Sequence, residues 1–199
     1  MATKEHWEMD LNDRREVLMR VIGVPEEDEA RTQRWVYKIL EGISLGTDSL
    51  EIGAGYGRLL PYVADSFDHA SGVDSSHNLV TLSEDYLRDA PRCSVNLTDG
   101  ESLPFNDNTF GFVYSFTVFQ HMVDISTIRN NIREALRVLV PGGICRVQTV
   151  CEDTTKYHDG RVFDTLPEFE AEFRNAGFAS VEGSFDDEIK NWIWVTARK

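Results

Sequence analysis

The sequence predicts an α/β fold: a doubly wound, mostly parallel sheet with helices on both faces and an antiparallel last strand. Three observations carry that prediction. From Asp48 onward, short apolar strands alternate with helical stretches, and such alternation builds parallel sheets. The first strand runs directly into a glycine-rich loop, Gly53-Ala54-Gly55-Tyr56-Gly57, that opens a helix. Loops of that construction bind ligands at the carboxyl edge of a sheet. Near the end, two strands are separated by the acidic turn Asp186-Asp187-Glu188, and strands joined as a hairpin are antiparallel.

The elements follow in order. Residues 25–43 read as a helix, with Trp35, Val36, Ile39, Leu40 and Ile43 on one apolar stripe. Pro25 suits its first turn, and Glu26, Glu27 and Asp28 complement the positive end of its dipole. A shorter helix falls within Lys4–Ile22. Ser49–Ile52 is the first strand. Arg58–Ala64 begins a helix that tolerates Pro61 within its first turn. Ala70–Val73 is the second strand, ending at Asp74, and Leu79–Leu87 the helix after it. Val95–Leu97 is a third strand, and the aromatic run Phe110–Ser115 a fourth. Ile125–Val138 is helical, with Asp124 as N-cap and Ile128, Ile132 and Leu136 in register. Pro141-Gly142-Gly143 is expected to end that stretch before a fifth strand, Ile144–Val150. Pro167–Ala176 is a helix with Phe169 and Phe173 on one face and Gly177 just past its end. Phe178–Phe185 and Trp192–Ala197 complete the sheet.

Composition narrows the function. The 199 residues include 20 Lys and Arg against 34 Asp and Glu, a net charge of −14. Residues 151–189 alone hold 11 acidic and 3 basic side chains. Such a surface repels phosphate backbones and anionic lipid, so no nucleic-acid or membrane partner is expected. No apolar run approaches the ~18 residues of a membrane span. The polar, acidic stretch Met1–Asp10 lacks the features of a signal or transit peptide, and a cytoplasmic location is expected. Three cysteines without metal-type spacing make a disulfide scaffold or a metal site an unsuitable reading.

Glu51 and the glycines suggest a particular ligand. The dinucleotide pattern G-x-G-x-x-G fails, because Arg58 and Leu60 stand where its third glycine belongs. A carboxylate at the end of a central strand needs a partner, and Glu51 is better placed beside a cation than beside a pyrophosphate. Asp74 ends the second strand, where a carboxylate can accept from a ribose diol. Asp99-Gly100-Glu101 follows the third strand and offers an acceptor for an exocyclic amine and backbone donors for ring nitrogens.

With those residues in place, the chain resembles the class I S-adenosylmethionine-dependent methyltransferases. It is most similar to the small-molecule (type 11) group that includes ubiquinone- and menaquinone-biosynthesis enzymes. The matching runs are LEIGAGYGRLL (50–60), GVDSS (72–76), TDGESLPFNDNTFGFVYS (98–115), EALRVLVPGG (134–143) and AGF (176–178), over about 130 residues. The resemblance implies a seven-stranded, Rossmann-like sheet with an antiparallel last strand. It divides the chain into an N-terminal helical extension, residues 1–46, and a methyltransferase domain, residues 47–199. It implies that Glu51 and the loop Gly53, Ala54, Gly55, Tyr56 and Gly57 hold the methionine part of S-adenosylmethionine. Asp74, with Ser75 beside it, holds the ribose; Asp99, Gly100 and Glu101 hold the adenine; Ser115 and Phe116 flank the methionine end.

The acceptor is expected to be a small molecule attacking through O, N or C. Methyl transfer from a sulfonium needs alignment and exclusion of water, and a base only where the acceptor must lose a proton. His121 is the candidate base; packing the start of the next helix is its alternative use. Tyr157, His158 and Phe163 lie in the connection 151–166, expected to border the acceptor pocket as a lid. The charge of that connection favours a neutral or cationic acceptor. A Cys151 nucleophile is rejected, because no Pro-Cys motif follows the fourth strand. A protein methyltransferase and a non-catalytic cofactor-binding partner or sensor are the alternatives; a nucleotide-dependent oxidoreductase is disfavoured by the failed fingerprint.

Overall fold

The computed structural model describes residues 16–19, 28–43, 46–122, 124–151 and 165–199. Apart from residues 16–19, its elements are α1 (Glu29–Leu40), β1 (Ser49–Ile52), α2 (Leu60–Val63), β2 (Ala70–Asp74), α3 (His77–Tyr86), β3 (Cys93–Leu97), β4 (Phe110–Phe116), α4 (Ile125–Val138), β5 (Leu139–Val150), α5 (Leu166–Ala176), β6 (Ser180–Phe185) and β7 (Trp192–Arg198). Residues 16–19 are helical and fall within the shorter helix read at Lys4–Ile22, the rest of which lies outside the described residues. The same holds for Pro25, Glu26 and Glu27. The helix there begins after Asp28, whose side chain accepts from Arg31 N and caps it.

Seven strands form one sheet in the order β3-β2-β1-β4-β5-β7-β6. The first five are parallel, and β7 is antiparallel to both β5 and β6. That is the sheet predicted from the alternation and the terminal hairpin. Side chains alternate along each strand, so β4 supplies both faces. Phe112, Tyr114 and Phe116 pack with Trp35, Val36 and Ile39 of α1 and Leu60 and Val63 of α2. Val113 faces the other layer, where Ile128, Ile132, Phe169 and Phe173 of α4 and α5 cover the sheet.

One boundary differs from the sequence reading. Pro141-Gly142-Gly143 does not separate helix from strand; it lies inside β5, which starts at Leu139. The register shifts there, with Leu139 opposite Phe110 and Ile144 opposite Phe112. Gly142 adopts φ +80°, and the chain after β7 holds the bulge, with Gly142 N–H donating to Lys199 O (3.1 Å) and Lys199 N–H to Gly143 O (3.0 Å). A glycine pair that signals a helix stop in sequence here supplies a bulge.

Helix α1 is fastened to the sheet at its C-terminal end. Arg146 of β5 donates through Nη1 to the carbonyls of Lys38, Ile39 and Glu41 at 3.1, 2.9 and 2.7 Å, satisfying the open end of the helix. Lys38 binds Asp186 (3.0 Å) and Asp187 (2.6 Å) in the β6–β7 turn.

Candidate functional site

A cavity of about 270 Å³ lies at the carboxyl ends of β1, β2 and β4, lined on one side by the glycine loop and on the other by residues of α4. Glu51 is its most unusual wall. It is 3% exposed and accepts a hydrogen bond from the Tyr114 hydroxyl at 3.0 Å. Burial pushes its carboxyl up to about 8, against the opposing pull of Tyr114 and of the Arg58 charge. Tyr114 in turn is pushed well above its ordinary value by burial and by Glu51.

Asp74 ends β2 and ties two segments together. Gly55 N–H donates to one carboxylate oxygen at 2.8 Å, and Ser76 N–H to the other at 2.9 Å. The glycines have separate tasks. Gly53 has φ +78°, and a Cβ there would stand 2.5 Å from both Val118 methyls. A Cβ at Gly57 would meet Leu87 at 2.9 Å, so that glycine serves packing.

Beyond β4 the chain makes an abrupt turn. Thr117 has φ +59°, which is strained for a β-branched residue. Gln148, fully buried on β5, accepts from Thr117 N–H at 3.0 Å and holds the turn. The turn brings Val118 onto Gly53, and Thr117, Val118, His121 and Met122 all line the cavity.

The loop after β3 is built from α4. Glu134 accepts from Leu103 N–H (2.8 Å). Arg137 grips Glu134, Asp107 and the carbonyls of Leu103 and Phe105, each at 2.7–2.9 Å. Asn131, 4% exposed, donates to Gly100 O (2.8 Å) and Thr127 O (2.9 Å).

The model for a family described as a methyltransferase domain matches residues 50–147. Residues 50–147 are a methyltransferase domain. A malonyl-[acyl-carrier protein] O-methyltransferase of Geobacter sulfurreducens is 30% identical over 160 residues, 71% of this chain and 59% of that one. A solved structure of Haemonchus contortus phosphoethanolamine N-methyltransferase 2, in complex with phosphomonomethylethanolamine and S-adenosylhomocysteine, has a TM-score of 0.72 at 17% identity, covering 92% of this chain and 56% of that one. The [4+2]-cyclase SpnF has a TM-score of 0.72 at 22% identity, covering 92% of this chain and 91% of that one. These two structures share the fold. The chain spans a little over half the length of the Geobacter and Haemonchus proteins.

Within the methyltransferase domain, ten of the residues singled out in the sequence line the cavity: Glu51, Gly53, Ala54, Gly55, Asp74, Ser75, Asp99, Gly100, Phe116 and His121. Four have other surroundings. Tyr56 stacks edge-on against Tyr86, and Gly57 packs on Leu87. Ser115 donates to Ile52 O at 2.8 Å and joins β4 to β1. Glu101 points its carboxylate at Asn130 (2.7 Å) and Thr127 of α4. Tyr157, His158 and Phe163, with residues 152–164 of the connection, lie outside the described residues. Sequence reading missed Arg58, Thr117, Val118, Thr127 and Asn131, which also line the cavity. Among the described residues no three His, Cys, Asp or Glu side chains gather as for a metal, and no helix is long and apolar enough to cross a membrane.

Proposed function

We propose that the protein transfers a methyl group from S-adenosylmethionine to a small-molecule acceptor by in-line displacement. One observation carries this reading: in a methyltransferase domain, a single cavity gathers Glu51, the 53–55 loop, Asp74 and the 98–100 loop at one sheet edge. That donor set suits a ligand with an amino-acid end, a diol and a purine. Glu51 and Arg58 form an acid and base pair for the ammonium and carboxylate of the methionine end. Arg58 is itself steadied by donating to Thr32 of α1 at 2.7 Å. Asp74, at the end of β2 and on the cavity wall, is the carboxylate placed to accept from the ribose hydroxyls. When bound, the sulfonium supplies the methyl group.

The protein's part is positioning. Phe116, Val118 and Met122 give the cavity apolar wall beyond the end of β4, which keeps water from the reacting atoms. His121 stands on that rim and takes a proton where the acceptor has one to lose. The acidic surface favours a neutral or cationic acceptor, and the net charge of −14 supports it.

Isothermal titration with S-adenosylmethionine, S-adenosylhomocysteine and NAD tests the cofactor. The first two should bind and NAD should not; comparable NAD binding overturns the reading. Asp74→Asn should weaken S-adenosylhomocysteine at least tenfold. The second reading, a non-catalytic partner or sensor that binds the cofactor, rests on binding and catalysis needing different residues. Labelled methyl transfer to a panel of small amines, hydroxy acids and quinols separates the two.

A further inference from the structure

We infer that Gln148 is a positioning residue for the methyl-transfer site: from β5 it clamps the strained turn at Thr117 and so sets where Val118 and His121 stand. This rests on the cofactor reading above and gives a role to β5, from which sequence took no site residue.

The β4–β5 pairing ends at Phe116 opposite Gln148. One residue later Thr117 takes φ +59°, a left-handed conformation that is costly for a β-branched side chain. Such a conformation persists only where neighbouring groups enforce it, and it gathers at functional sites. Gln148 is the enforcing group. It is fully buried, its Oε1 accepts from Thr117 N–H at 3.0 Å, and its Nε2 donates to Thr149 O at 2.8 Å. The amide orientation is settled by chemistry, since Thr117 N–H can only donate and Thr149 O can only accept. An apolar side chain of the same size would fill the same space on β5 and leave Thr117 N–H without this partner.

The turn determines one wall of the cavity. It lays Val118 onto the glycine loop, so closely that a Cβ at Gly53 would stand 2.5 Å from both Val118 methyls. His121 N–H donates to Val118 O (2.8 Å) and Met122 N–H to Phe119 O (3.1 Å), which coils Val118 to Met122 into one short turn that follows Thr117. Thr117, Val118, His121 and Met122 all line the cavity. The same turn holds Gln120, whose Oε1 is buried with no hydrogen-bond partner among the described residues. A strained backbone and an orphan acceptor within a few residues mark a segment held for its site rather than for its own stability.

The test removes the clamp and then the strain it opposes. Gln148→Met keeps the side-chain volume and removes the acceptor. Amide exchange at Thr117 and Val118 should then rise at least tenfold, and S-adenosylhomocysteine affinity by titration should fall roughly tenfold. In the wild-type protein that ligand should shift the His121 ring and Val118 methyl resonances, and in Gln148→Met those shifts should at least halve. Adding Thr117→Gly, which suits a positive φ, should restore affinity to within threefold of wild type and recover most of the shifts. Glycine at 117 relieves the turn and repairs nothing on β5, so a simple packing defect at Gln148 would not be rescued. Unchanged affinity and shifts in Gln148→Met, absence of the shifts in the wild-type protein, or no rescue by Thr117→Gly overturns the inference while the cofactor reading stands. Should Gln148→Met fail to fold, folding and binding by the double variant support the clamp, and failure of both variants overturns it. Absence of any S-adenosylhomocysteine binding by the wild-type protein overturns the cofactor reading and this inference together.

Discussion

Glu51 holds a proton at neutral pH because its surroundings oppose the charge. Its carboxyl sits at about 8 in the folded chain and returns to the ordinary range of about 4.5 on unfolding. The folded state thus binds the extra proton between those values. Its stabilising contribution is complete below the unfolded value and is lost as pH rises toward 8. A loss on the order of a few kcal/mol over that window is expected by denaturant titration. Glu51→Gln, which keeps an acceptor for Tyr114, should flatten the profile. A cationic ligand reverses the balance, so binding at pH 7 should release close to one proton, read by calorimetry in buffers of different ionisation enthalpy. Gly53 makes a second prediction at this scale. Gly53→Ala combines a left-handed backbone with the Val118 contact, and should cost about 1–3 kcal/mol of stability along with ligand affinity.

Among the elements, α4 bears the most weight at the site. Asn131, Glu134 and Arg137 lie three residues apart on one face and together fix the chain from Gly100 to Asp107. Arg137→Met should loosen that loop, costing on the order of 1–3 kcal/mol and raising amide exchange across 98–107. Arg137→Lys should recover only part of this, because an ammonium lacks the planar fork that reaches five acceptors. These contacts also show where sequence becomes opaque. The glycine loop, Asp74 and Asp99 were legible because each follows a strand, and strand ends converge on one edge. Asn131 and Arg137 look in sequence like the solvated face of an amphipathic helix. Nothing local shows that a loop thirty residues earlier lies against them. Tyr114 was hidden likewise: in an aromatic strand a phenol reads as core, and only the β1–β4 pairing of Glu51 with Tyr114 sets its hydroxyl to use. Thr117 carries no signal either, because the side chain that holds its turn, Gln148, comes from a neighbouring strand.

At the scale of the whole molecule, the charge of −14 is unevenly balanced by local pairs such as Lys38 with Asp186 and Asp187. Self-repulsion of the remainder opposes the compact state. The melting temperature should therefore rise as salt is added from about 0.01 M to 0.15 M, where the screening length falls from about 30 to 8 Å. A melting temperature that falls over that range would show that attractive pairs dominate. The strand order has a consequence during synthesis. The strand emerging last, β7, does not join the rim; it inserts between β5 and β6. Until it arrives, β5 presents a long row of unpaired backbone groups flanked by apolar side chains. A ribosome that stalls before Trp192 would release a chain with its site residues already made and its most adhesive edge open, and such fragments should aggregate or be taken up by chaperones.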